Sequence, residues 1–194
     1  MKFLLVLLTV LTFAGCNSLE NNLRKLKSNY AKSRCEGIYW LYYNGHKKIN
    51  QKLLIDALKR DENELVRSLA ARLMGLEGKT VYVYPLLMAL NDPKSLVRIE
   101  AAQSLGTLKS EEALTRLGEL LEQDSNIYVK LKILKTINHM NAKKAVPDLI
   151  EALDDEEPAV SFQSLMLLEK FTNAKAGLGK NDWKEWLKEN KSKS

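Results

Sequence analysis

Histidine and cysteine are almost missing from these 194 residues, two of each, and only four prolines and nine glycines interrupt the chain. Each shortage removes a class of protein. His46 and His139 have no Cys-x-x-Cys or His-Glu-x-x-His spacing around them, so no metal site is readable. Cys16 and Cys35 are too few for a disulfide framework. Gly177-Leu178-Gly179 follows no strand pattern and lacks a third glycine, which argues against a dinucleotide loop. Serine, histidine and aspartate all occur, yet no spacing gathers them into a nucleophile and its base. No cofactor is expected.

What is present suits one soluble core: 45% hydrophobic and 28% charged residues, with a net charge of +6. The basic excess favours acidic partners by long-range attraction and also serves solubility. Above all, the chain repeats itself. Val66, Val97, Val129 and Val160 follow at steps of 31, 32 and 31 residues, each heading an apolar segment with helical spacing, and Asp61, Asp92, Asp124 and Asp155 recur in phase. A period in this range marks stacked helix pairs, in which neighbours complete a core that no unit closes alone. The fold class is therefore all-α, an α-solenoid of about four to five helix pairs with a cap at each end. The pairs read as Ile49 to Lys59 with Glu64 to Leu76, Thr80 to Leu90 with Ser95 to Leu108, Glu111 to Glu122 with Asn126 to Met140, and Ala142 to Leu153 with Pro158 to Phe171. Val81-Tyr82-Val83-Tyr84 looks locally like strand, and only the repeat phase argues for helix.

The first residues read as an address. Lys2, the apolar run Phe3 to Ala14, and then Gly15 and Cys16 have the layout of a secretory signal, too short for the ~20 residues that cross a bilayer. Phe13-Ala14-Gly15-Cys16 resembles the bacterial lipobox, with Phe13 where leucine is usual, which implies removal of residues 1–15 and acylation of Cys16. Residues 16–48 then form a lipidated tether and N-terminal capping helix, in which Tyr39, Trp40, Tyr42 and Tyr43 supply bulk over the first repeat. Cys35 is left as an unpaired thiol, expected in a helix contact.

Between Ile49 and Phe171 the residues resemble short HEAT repeats of the type shared with phycobilin lyases, on Pro85, Leu86, Asp92, Val97, Arg98, Ala101 and Ala102. That resemblance implies a right-handed solenoid over residues 49–175. Beyond it, Thr172, Gly177, Trp183 and Trp186 resemble a tail met in bacterial HEAT proteins, so residues 176–194 should form a capping helix and basic end.

An aspartate precedes a basic residue by six positions in three units: Asp61 and Arg67, Asp92 and Arg98, Asp124 and Lys130. An active site needs one constellation, whereas a solenoid needs the same contact many times, so this is a structural ladder. The HEAT resemblance implies that it links neighbouring repeats. Asp155 meets Ser161 at the sixth position, and a looser final junction is expected there. The second helices of a HEAT stack line its concave side, which places Arg72, Lys132, Lys135, His139 and Lys170 as candidate partner-binding residues. The function expected is a non-enzymatic, membrane-anchored scaffold in the bacterial envelope that binds a protein or acidic polymer. The alternative is a cofactor-handling or lyase-like enzyme related to phycobilin-lyase HEAT proteins. Nucleic acid fits the charge but not the compartment.

Overall fold

The computed structural model describes residues 19–44 and 47–191, and every regular element among them is helical. Helix α1 (19–25) precedes α2 (Ala31–Tyr43); α3 (Lys47–Arg60) pairs with α4 (Glu64–Glu77), and α5 (Val83–Ala89) with α6 (Ser95–Thr107). Then α7 (Leu114–Gln123) pairs with α8 (Ile127–Met140), α9 (Val146–Glu151) with α10 (Pro158–Thr172), and α11 (Lys180–Lys191) follows. The stretch at Val81 that looked like strand is a 3-10 turn, Thr80–Tyr82, leading into α5. Tyr82 makes the turn worth forming: it is fully buried, and its hydroxyl donates to Glu77 Oε2 at 2.5 Å.

The start of the second helices shows why aspartate recurs. One carboxylate oxygen of Asp61, Asp92, Asp124 and Asp155 accepts the backbone N–H two residues on, at 2.9 to 3.0 Å, and turns the chain into the next helix. Asn63 and Asn126 then accept the first free amides of α4 and α8. At the far end Gly78 and Asn141 take the left-handed conformation, φ 68° and 51°, that lets α4 and α8 stop.

One continuous core runs from Ile38 to Trp183 through the Val66, Val97, Val129 and Val160 positions, each fully buried. The second helices approach one another closely. A Cβ on Gly75 would lie 2.5 Å from Ser104 Oγ, and one on Gly106 would lie 2.6 Å from Thr136 Cγ2. The same two hydroxyls each donate to a backbone carbonyl one turn earlier on the preceding second helix, Ser104 Oγ to Ala71 O at 2.9 Å and Thr136 Oγ1 to Ala102 O at 3.4 Å. The first helices touch each other less, so the array bends toward the second-helix layer and makes it the concave side. At the C-terminal end α11 lies on α9, with Trp183 fully buried and its indole N–H donating to Gly177 O at 3.0 Å.

The N-terminal segment is more than the expected tether and capping helix. Ser28 and Arg34 repeat the spacing of Asp61 and Arg67: the Ser28 hydroxyl accepts the Tyr30 N–H at 3.2 Å, and Arg34 Nη1 donates to Ser28 O at 2.8 Å. Thus α1 and α2 form a further helix pair in the same phase. Cys16 and residues 1–15 lie outside the described residues.

Candidate functional site

Two sets of residues hold the polar chemistry, and the structure gives them different work. The first is the ladder. Arg67 donates through Nη1 to the backbone of its own unit, Asp61 O at 2.9 Å, and through Nε and Nη2 to the carboxylate of Asp92 in the next unit, at 2.7 and 2.9 Å. Arg98 repeats this between Asp92 O and the Asp124 carboxylate, and Arg34 repeats it between Ser28 O and Asp61. The fork of the guanidinium suits this double reach. The carboxylate partner is therefore always 25 to 27 residues away, not six. Lys130 closes the row on Asp155 at 2.6 Å, so Asp155 has the partner that its own unit did not supply. The expected loosening there has no basis in that carboxylate. These side chains are about nine-tenths buried and mutually satisfied, so they hold the solenoid in register and have no free valence for a ligand.

The second set lies on the concave face. Arg72 reaches Glu100 at 2.6 and 3.1 Å, Lys132 reaches Gln103 Oε1 at 2.7 Å, and Lys170 reaches Asn138 Oδ1 at 2.7 Å. Three of the five candidate residues are thus tied to a neighbouring repeat. Lys135 and His139 carry no side-chain bond among the described residues and are exposed. With Lys132 and the buried Thr136 they occupy one face of α8, at spacings of three and four, and line a 190 Å³ pocket closed by Gln103, Gly106 and Thr107.

Beside it a larger groove of 530 Å³ runs between α6, α8 and α10. Its floor is apolar, from Ile99, Tyr128, Leu131, Met166 and Leu167, and Lys132, Lys135, Asn138 and Gln163 stand among them. Sequence reasoning placed Lys132 and Lys135 on this face but missed Tyr128, Leu131 and Ile99. The one signal in the sequence was that Tyr128 stands outside the apolar phase of its helix, and the structure leaves it 69% exposed. The site therefore offers an apolar trough with ammonium groups at its side, which suits a ligand with an apolar body and carboxylate or phosphate groups. Among the described residues no three His, Cys, Asp or Glu side chains converge as metal ligands.

The convex side is different. Glu111 pairs with Lys144, Glu119 with Arg116, and Glu151 with Lys180 and Lys184. Asp148 is half-buried beneath α7, where burial and then the charges of Glu122 and Glu151 raise its carboxyl pKa against a backbone hydrogen bond. A Cβ on Gly118 would lie 2.6 Å from that carboxylate, which accounts for glycine in the middle of α7.

A helical solenoid with a conserved-phase acid and base row and a concave groove defines the class, and comparison agrees. A family model described as HEAT repeats matches residues 52–127 and 114–177, and the chain belongs to that family. Over 117 residues it is 33% identical to deoxyhypusine hydroxylase of Schizosaccharomyces pombe, a match that covers 57% of this chain and 36% of that one. Among solved structures, the complex of CpcE and CpcF of phycocyanin lyase from Nostoc sp. PCC7120 superimposes with a TM-score of 0.61 and 25% identity, over 80% of this chain and 65% of that chain. This chain thus spans less than two thirds of either relative. Both relatives are tied by name to enzymes, and this overturns the expectation of a non-enzymatic role. No helix among the described residues is long and apolar enough to cross a membrane.

Proposed function

We propose that this HEAT-repeat protein is held at the bacterial envelope membrane through Cys16 and captures a protein or acidic polymer in its concave groove. The observation that carries the reading is the pairing pattern on that face. Arg72, Lys132 and Lys170 bridge repeats, while Lys135 and His139 stand exposed and unpaired beside an apolar floor. A carboxylate-rich segment would meet those two donors while its apolar side chains cover Tyr128 and Met166. Attraction by lysine is screened over a Debye length of ~8 Å at physiological salt, so capture should weaken as salt rises.

The test is a pull-down from solubilised envelope with wild type and with Lys132→Glu plus Lys135→Glu. The reading requires that the double variant lose the partner and keep its helical circular-dichroism signal, while Glu119→Lys on the convex side retains it. Metabolic labelling with a fatty acid tests the anchor separately: label on wild type and none on Cys16→Ala is the expected result.

A lyase-like or cofactor-handling role is the second reading. Two observations favour it, the likeness to phycocyanin lyase and a groove whose volume lies in the ~300–1,000 Å³ range of small-molecule sites. Here the ligand is a small apolar molecule bearing carboxylates. Titration with a linear tetrapyrrole, followed by visible absorbance, should saturate with wild type and not with Lys135→Glu if this role is correct.

A further inference from the structure

The two long edges of the solenoid differ in charge. On one edge, where first helices hand over to second helices, charge is mixed: Glu62, Glu156 and Glu157 are exposed beside the ladder aspartates, and so are Lys59, Arg60 and Lys94. On the other edge, where second helices end, the chain places Lys79 after α4, Lys109 after α6, and Lys143 and Lys144 after α8. The acidic residues on this second edge are largely answered: Glu77 pairs with Lys79 at 2.7 Å and Glu111 with Lys144 at 2.5 Å, which leaves Glu112 beside the exposed Lys109 and Lys143. Helix α3 also starts on this edge, with no acidic residue in its first turn.

Aromatic residues gather at one end of the same edge. Tyr39 and Tyr43, 52% and 59% exposed, pack with centroids 4.4 Å apart and rings tilted by 43° at the end of α2, with Trp40 between them in sequence. Asn22 of α1 shares a groove with Tyr39, Trp40, Tyr43 and Asn44, and Lys25 pairs with Glu36 at 2.9 Å. Helix α1 therefore runs antiparallel to α2 and starts beside these rings. Cys16 is three residues before Leu19, a covalent reach of about 10 Å.

We infer that this edge is a docking surface for an anionic phospholipid bilayer, with Tyr39 and Tyr43 at headgroup level and the lysine row over the charged surface. The inference rests on the proposed anchor at Cys16, which fixes the aromatic end within a Debye length or so of the lipid. Tyrosine and tryptophan favour the membrane–water interface, and lysines near an anionic leaflet strengthen attachment by roughly fivefold each. The edge of mixed charge then points away from the membrane, and the concave groove opens along the surface beside it.

The test uses the processed chain, residues 16–194, with Cys16→Ser, so that neither an acyl group nor the apolar run before it contributes, cosedimented with vesicles of phosphatidylglycerol and phosphatidylcholine or of phosphatidylcholine alone. Partition onto the anionic vesicles should exceed that onto the neutral ones and fall with salt. Lys109→Glu with Lys143→Glu should lower the anionic partition at least tenfold and leave the neutral partition unchanged. Tyr39→Ala with Tyr43→Ala should lower both. Glu156→Gln with Glu157→Gln should change neither, and melting followed by circular dichroism confirms that each variant is folded. Equal partition onto the two lipids, or full anionic binding by the lysine variant, overturns the inference. Because the assay omits the acyl group, it is read independently of fatty-acid labelling: a labelled wild type with an indifferent edge leaves the anchor and removes the docking surface.

Discussion

Arg67→Ala takes four hydrogen bonds from one junction: two to the Asp92 carboxylate at 2.7 and 2.9 Å, and two to the Asp61 and Glu62 carbonyls at 2.9 and 3.0 Å. The Asp92 side chain is 10% exposed, so the variant strands a nearly buried carboxylate. Breaking a buried pair in this way costs about 3 to 5 kcal/mol, or about 10 °C in melting temperature at this chain length. The sign of its pH dependence follows from the wild type. Burial pushes the Asp92 carboxyl up, but hydrogen bonds from Arg67 and the Lys94 amide, with the charges of Arg67 and Arg98, hold it below its usual value. A depressed carboxyl contributes stability that is present above the unfolded value of ~3.9 and is lost as pH falls through the folded value. Without Arg67 the burial penalty dominates, and protonation relieves it. The gap between wild type and variant should therefore be widest near pH 7 and narrow below about pH 4, while the two bonds to carbonyls stay lost at every pH. Urea unfolding followed by far-ultraviolet circular dichroism at pH 7 and 3.5 measures it. A loss under ~1 kcal/mol at pH 7, the size seen for exposed pairs, or an equal gap at both pH values would refute the ladder's role. Lys144→Ala, which breaks the exposed pair with Glu111, should leave stability unchanged.

Three further substitutions probe separate contacts. Trp183→Ala removes a fully buried indole and leaves Gly177 O without its donor, at a cost of about 3 to 5 kcal/mol by denaturant midpoint. Gly75→Ala puts a methyl 2.5 Å from Ser104 Oγ and 2.9 Å from its Cα, so backbone must move; a loss of about 1 to 3 kcal/mol should outweigh the gain in helix propensity. Asp148→Asn removes a carboxyl whose pKa is raised chiefly by burial. A raised carboxyl loses stability as pH climbs above the unfolded value, so this variant should melt at or above wild type at pH 7 and coincide with it below pH 4.

The architecture was legible because the repeat obliges the sequence to restate itself: the valine and aspartate phases placed four helix pairs, and phase alone decided the Val81 to Tyr84 stretch. The pair α1–α2 was hidden for a physical reason. Serine does the turn-forming work of aspartate at position 28, and α2 has no regular apolar stripe, so only Arg34, 33 residues before Arg67, kept the rhythm. The direction of the ladder was not readable either. A spacing of six is what sequence displays, while the carboxylate that each arginine meets belongs to the following unit. On the concave face, helical phase located the charged positions but not their partners. Arg72 meets Glu100 only because α4 and α6 lie close, and the apolar floor from Ile99, Tyr128 and Leu131 comes from two helices that no single stretch of sequence describes.

The central claim is that the concave layer meets the partner. A photo-crosslinking amino acid placed at position 135 or 166 on that layer, and at 115 or 119 on the convex side, tests it in intact cells. Irradiation should give the same partner adduct from positions 135 and 166 and none from 115 and 119; adducts from the convex positions alone would contradict it.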